Sequence, residues 1–123
     1  MTTTSYITAT NIKNLPAGDA GERVYFTEEC YSDSHVWVQV KRTAKTATLA
    51  RVECLRDPAF KPEYIAGGYA GHCTNQREQT WIYAGDGSDS DYHRTVRHTK
   101  KGWAHKGTPY IENRAHEFYD YNF

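Results

Sequence analysis

The stretch His35-Val36-Trp37-Val38-Gln39-Val40-Lys41-Arg42 decides the fold. Valines at 36, 38 and 40 alternate with Trp37, Gln39 and Lys41. That period of two puts β-branched side chains on one face of an extended strand and a mixed set on the other. After the polar link Thr43-Ala44-Lys45 the alternation resumes over 46–56, through Thr48, Ala50, Val52 and Cys54. The two runs read as an antiparallel hairpin.

Outward from this hairpin the pattern is strand and turn throughout. Residues 5–12 and 22–28 are threonine- and aromatic-containing strand candidates, separated by the turn chemistry of Leu15-Pro16-Ala17-Gly18-Asp19-Ala20-Gly21. Asp57-Pro58, Lys61-Pro62 and the glycines at 67, 68 and 71 keep the middle of the chain irregular, with a helical turn expected at 58–64 or 74–79. Further strands are expected at 79–84, 92–99, 102–105, 108–112 and 116–123, with 85–91 an acidic loop. Short strands at such spacing predict an all-β fold, with one short helix at most: a compact antiparallel sandwich or small barrel of about eight strands. No repeat or linker divides it, so residues 1–123 read as one domain.

Composition agrees. Val, Ile and Leu number 14 against 17 for Tyr, Phe and Trp, so the core of this 123-residue chain is expected to be small and aromatic. Lys+Arg and Asp+Glu are both 15, which removes the net charge that accompanies disorder and excludes a polyanion binder by bulk charge. No apolar run is long enough for a membrane span. The first twelve residues lack the basic flank and apolar stretch of a secretory signal. Three cysteines, Cys30, Cys54 and Cys73, are odd in number and too few for a disulfide scaffold, which favours a reducing cytoplasm.

Two stretches carry candidate chemistry. The first runs from Gly67 through His72, Cys73, Asn75, Gln76 and Gln79 to Trp81. It has three readings. Cys73 as a thiolate, with His72 beside it and a histidine base elsewhere, would make a thiol enzyme. His72 and Cys73 with Cys30, His35 and Cys54 would make a zinc-stabilised β domain, although adjacent ligands rarely reach one ion and no Cys-x-x-Cys pair is present. The bland reading makes Cys73 a small apolar core residue, with the amides of Asn75, Gln76 and Gln79 satisfying an irregular loop. The second stretch, 93–106, holds Arg94, Arg97, Lys100, Lys101 and Lys106 with no acid, and Trp103 within it. A basic ribbon with aromatic platforms suits a single nucleic-acid strand, and a solvated, lysine-guarded edge is the alternative. Asp86, Asp89 and Asp91 depart from calcium-loop spacing and read as a solvated turn.

The Gly67-Gly68-Tyr69 … His72-Cys73 … Asn75-Gln76 loop and the closing Phe118-Tyr119-Asp120-Tyr121-Asn122-Phe123 resemble a group of uncharacterised small bacteriophage proteins. The resemblance covers mainly the second half of the chain. It implies phage origin and action inside a bacterial cell, and it brings no catalytic residues. The expectation is a non-enzymatic binding module without a cofactor, an accessory protein that engages a host protein or nucleic acid in the host cytoplasm, as anti-defence or host-takeover inhibitors do. Its expected surface is Arg94, Arg97, Lys100, Lys101, Trp103 and Lys106 with His72, Asn75 and Gln76.

Overall fold

The computed structural model describes residues 8–9, 11–13, 24–66, 71–84 and 92–122. Among them the strands are β1 (Thr8–Ala9), β2 (Ile12–Lys13), β3 (Tyr25–Glu29), β4 (Ser34–Arg42), β5 (Thr46–Arg51), β6 (Cys54–Arg56), β7 (Tyr64–Ile65), β8 (His72–Cys73), β9 (Trp81–Tyr83), β10 (His93–Thr99), β11 (Gly102–His105), β12 (Thr108–Glu112) and β13 (Arg114–Ala115). One turn of 3-10 helix, Gln76–Glu78, falls in the second of the two places expected for a helical turn. The chain is all-β, and of the two architectures left open by the sequence it takes the barrel.

Strands β3, β4, β5, β10, β11 and β12 close into a six-stranded barrel in that order, each antiparallel to the next, with β12 returning to β3. Spatial order follows chain order, so this is an up-and-down barrel interrupted once, by residues 52–92. Closure leaves none of the six with an unpaired edge. Two tight reversals rely on left-handed backbone. Lys106 (φ 48°) and Gly107 (φ 85°) turn β11 into β12, and Gly102 (φ 112°) follows the Lys100-Lys101 turn. Outside the barrel lie the sheet β2–β9–β6, the parallel pair β1–β13 and the small pair β7–β8.

Strand β4 is buried on both faces, which its alternation did not foretell. Trp37 points into the lumen with Phe26, Ala47, Leu49, Val96, Trp103 and Tyr110. Val36 and Val38 point outward and pack with Tyr25, Ala50 and Val52 of the barrel wall against Ile12, Trp81 and Ala115. Val40 does not continue the valine face. The register to β5 shifts between Gln39 and Lys41, and the bulge leaves Val40 about half exposed. It also inverts the parity of the strand. Trp37 faces in from an odd position, and Arg42 reaches the lumen's end from an even one, its guanidinium 4.7 Å from the Trp103 ring centroid.

The expected strand over 46–56 is two strands. The chain leaves the barrel at Val52, whose N–H donates to the Val36 carbonyl, and re-pairs as β6 in the outer sheet. The expected closing strand at 116–123 reduces to one bridge, Ser34 with Phe118. Residues 1–7, Thr10, 14–23, 67–70, 85–91 and Phe123 lie outside the described set, and with them part of the expected strand at 5–12, the turn at 15–21, the Gly67-Gly68-Tyr69 phrase and the acidic loop.

Leu49, wholly buried in the lumen, and Val40 on the bulge give a direct comparison. Leu49→Ala is expected to cost about 2–5 kcal/mol in chemical denaturation, and Val40→Ala to stay within about 0.5 kcal/mol. Asp57 gives a pH handle. The Lys13 ammonium, the Ala59 N–H and the Thr80 hydroxyl all bond its carboxylate and hold it down at about 2. A carboxyl depressed on folding stabilises the native state above its unfolded value, and that contribution disappears as pH falls towards about 2. Asp57→Asn should therefore flatten the loss of stability between pH 4 and pH 2, read as Tm against pH.

Candidate functional site

The basic stretch 93–106 occupies β10, β11 and their turns, and the barrel divides its side chains. Arg94, Val96 and His98 share the lumen side. Arg94 stacks 4.7 Å from the Trp37 ring centroid, bonds the Glu28 carboxylate at 2.9 Å and donates to the Tyr110 hydroxyl at 2.5 Å. Glu28 also accepts the Trp37 indole N–H at 3.0 Å. Burial alone would raise the Glu28 carboxyl. The Trp37 N–H and Arg94 outweigh it and hold Glu28 below the usual carboxylate range. Arg42, Glu112 and Trp103 make a second such cap. Arg42 lies over the Trp103 ring and bonds Glu112 at 2.6 Å, and Glu112 accepts the Trp103 indole N–H at 3.2 Å. Trp103 is 7% exposed, with Phe26 edge-on at 5.7 Å. Arg94 and Trp103 are therefore parts of the interior, and the ribbon presents no tryptophan face to solvent.

What remains outside is a different surface. Residues 34–52 and 92–111 contain no Asp or Glu, so β4, β5, β10 and β11 form a carboxylate-free wall. The pairing puts Lys41, Thr48 and Thr95 in one cross-strand row, and Thr46, Arg97, Ala104 and Pro109 in the next. Short side chains make a flat floor around Arg97. The turn Thr43-Ala44-Lys45 lies at the same end of the barrel as Lys100-Lys101, since Thr46 pairs with Arg97 and the Lys45 carbonyl accepts the His98 N–H.

The cations sort accordingly. Among the described residues, Lys13, Arg42, Arg51, Arg94 and Arg114 pair with carboxylates, and Arg56 stacks on Tyr119 and Tyr121. Lys41, Lys45, Arg97, Lys100, Lys101 and Lys106 have no side-chain partner among the described residues, and all are exposed on or beside this wall. Lys61 and Arg77 are the described exceptions elsewhere. Lys41 and Lys45 were missed by sequence reasoning. Their charge is legible in Lys41-Arg42-Thr43-Ala44-Lys45, but only the β5–β10 register joins that hairpin to a ribbon fifty residues on.

The loop at 72–79 has a structural use. Cys73 is buried and its thiol donates to Asn75 Oδ1 at 3.5 Å. Asn75 also accepts the Glu63 N–H and donates to the Lys61 carbonyl. The other amides hold the C-terminal tail. Asn122 brackets Cys73, accepting its N–H at 2.7 Å and donating to its carbonyl at 3.0 Å. Gln76 Oε1 accepts the Tyr121 N–H at 2.8 Å. Gln79 donates to the Tyr119 carbonyl, and its Oε1 accepts the Tyr119 N–H and the Trp81 indole N–H. The two phrases singled out in the sequence are thus one unit, a ladder in which side-chain amides replace a strand partner. His72 stands exposed beside it, on β8 opposite Ile65.

The proposed metal ligands are not gathered. Among the described residues no three His, Cys, Asp or Glu groups are placed to hold an ion. His35 Nδ1 lies 3.0 Å from Glu117, a buried carboxylate that also accepts from Arg51 and the Val36 N–H. Burial, then the nearby Glu28 charge, pushes the Cys30 thiol up to about 11; burial, then Glu117, pushes Cys54 up to about 12. Thiols held so high are mostly protonated at neutral pH, which makes them poor nucleophiles. No helix among the described residues is long and apolar enough to cross a membrane. Compared with known proteins, the chain matches no family model, no curated protein and no solved structure.

Gln79→Leu removes the partner of two tail groups and of a buried indole N–H. It is expected to cost about 1–3 kcal/mol and to make the tail beyond Ala115 a fast site in limited proteolysis. An unchanged Tm and digestion pattern would show that the amide ladder does not hold the tail.

Proposed function

We propose that this chain is a non-enzymatic binding module, a phage-type accessory protein that engages nucleic acid in the bacterial cytoplasm through the wall formed by β4, β5, β10 and β11. The observation that carries the reading is the sorting of charge. Of the described cations with neither a carboxylate nor a ring partner, Lys41, Lys45, Arg97, Lys100, Lys101 and Lys106 lie on or beside this wall, and Lys61 and Arg77 lie elsewhere. Unneutralised cations held in one patch on a chain of zero net charge draw a polyanion to that patch and leave the rest of the surface indifferent.

The same geometry bears on the mode of contact. With Trp103 in the core and short threonines and alanine on the floor, the patch offers charge and hydroxyls rather than stacking platforms. Contacts of this kind go to phosphates, so affinity depends on salt and little on sequence. The phage assignment rests on the loop and tail phrases described above. The amide ladder that joins them is consistent with a shared scaffold.

Fluorescence anisotropy of a labelled single-stranded oligonucleotide across salt concentrations tests the reading. Each phosphate contact contributes a slope of about −0.7 in log K against log salt for a single strand. Lys45→Ala, Lys100→Ala and Lys101→Ala combined are expected to weaken binding and to reduce the slope by about 2. Absence of binding at low salt would leave a host protein as the partner to be sought.

A further inference from the structure

One groove among the described residues has a distinct chemistry. The groove of about 420 Å³ between β10 and the β11–β12 turn is lined by Thr95, Arg97, Thr99, His105, Lys106 and their neighbours, with no carboxylate among them. Three other grooves formed by described residues carry acids: Asp57 in one, Glu63 and Glu78 in another, Asp33 and Asp120 in a third.

We infer that this groove is a phosphoryl-binding site, the point at which a nucleic-acid strand is gripped; the inference deepens the nucleic-acid reading above and rests on it for the identity of the strand. Three cationic or ionisable groups reach the groove from different directions. Arg97 rises from the middle of β10, His105 from the end of β11, and Lys106 from the left-handed turn. A guanidinium offers a rigid fork of N–H donors, and an ammonium offers a point charge. Such a set suits a tetrahedral group with several acceptor oxygens better than a planar carboxylate with two.

The imidazole is already positioned. His105 Nδ1 lies 3.1 Å from the Thr95 carbonyl, which can only accept, so Nδ1 carries the proton. The backbone thus anchors one ring nitrogen, and Nε2 faces a ligand as a donor only in the imidazolium form. Arg97 has no side-chain partner among the described residues, so ligand binding breaks no ion pair among them.

The test uses the full chain and two short oligothymidylates of equal length, one ending in a 5′-phosphate and one in a 5′-hydroxyl. Arg97→Ala with Lys106→Ala is compared with wild type, with the Lys45/Lys100/Lys101 variant and with Arg77→Ala as a cation control. The expected result is a loss of about tenfold or more for Arg97→Ala with Lys106→Ala, and none for Arg77→Ala. Loss on both probes assigns the groove to internal phosphodiesters, and loss on the 5′-phosphorylated probe alone assigns it to a strand end. Wild-type affinity in this double variant, with weakened binding in the Lys45/Lys100/Lys101 variant, overturns the groove and leaves the nucleic-acid reading intact. Competition by polyglutamate as potent as by inorganic phosphate, at equal ionic strength, also overturns it, in favour of an acidic peptide. Where neither oligonucleotide binds, inorganic phosphate titrated into ¹⁵N-labelled protein decides. Movement of the amide resonances of 95–107 keeps the groove while the nucleic-acid reading falls, and unmoved resonances remove both.

Discussion

A buried indole N–H must find an acceptor, and this barrel buries two. Trp37 and Trp103 supply much of the bulk of a lumen too narrow for anything but side chains, and each directs its N–H to a glutamate on a neighbouring strand, Glu28 and Glu112. A carboxylate so placed would be costly to desolvate alone. Each is matched by an arginine that also covers the tryptophan face, Arg94 in one case and Arg42 in the other. The aromatic core, the ion pairs and the closure of β12 on β3 are therefore one arrangement. The barrel can be rich in rings and poor in aliphatics because its polar edges are satisfied from within.

That arrangement also decides what the surface can do. Two arginines that the sequence offers as part of basic runs are consumed by the caps, and the tryptophan that would serve as a stacking platform is the thing they cap. The cations left over are those whose strand parity points them outward, or that sit in turns. Function in this reading is the residue of folding: the charges for which the interior has no use collect on a wall where no carboxylate answers them.

Much of the architecture was legible because period-two alternation is a local property. Strands β4, β5, β10, β11 and β12 stand close to where alternation and turn residues place them, and the short helical turn falls within 74–79 as expected. Three features were not legible, each for a nonlocal reason. Val36, Trp37 and Val38 look like one buried face and one mixed face, and only a second layer outside the barrel makes both faces apolar. The aromatic tail reads as a strand by composition, yet its partners are the side-chain amides of Gln76 and Gln79 and, through Asn122, the Cys73 backbone, a pairing that alternation cannot reveal. Two of the six cations of the candidate interface, Lys41 and Lys45, are separated in sequence from the other four and joined to them only by register. The loop from His72 to Gln79 was open to catalytic, metal and structural readings; Asn75 bonds the irregular loop as the structural reading expects, whereas Gln76 and Gln79 serve the C-terminal tail.

The bulge at Val40 has a consequence for how this chain can vary in length. Because parity changes hands there, Lys41 faces water and Arg42 faces the barrel mouth by virtue of one supernumerary residue. Were Val40 paired in regular alternation, Lys41 would face in and Arg42 out, taking the guanidinium off Trp103 and swinging an ammonium towards Glu112, whereas a chain lacking Val40 would keep both cations where they are. Where the bulge sits thus decides which of two neighbouring cations seals the barrel mouth, and the hairpin can lose the bulged residue without unsealing it.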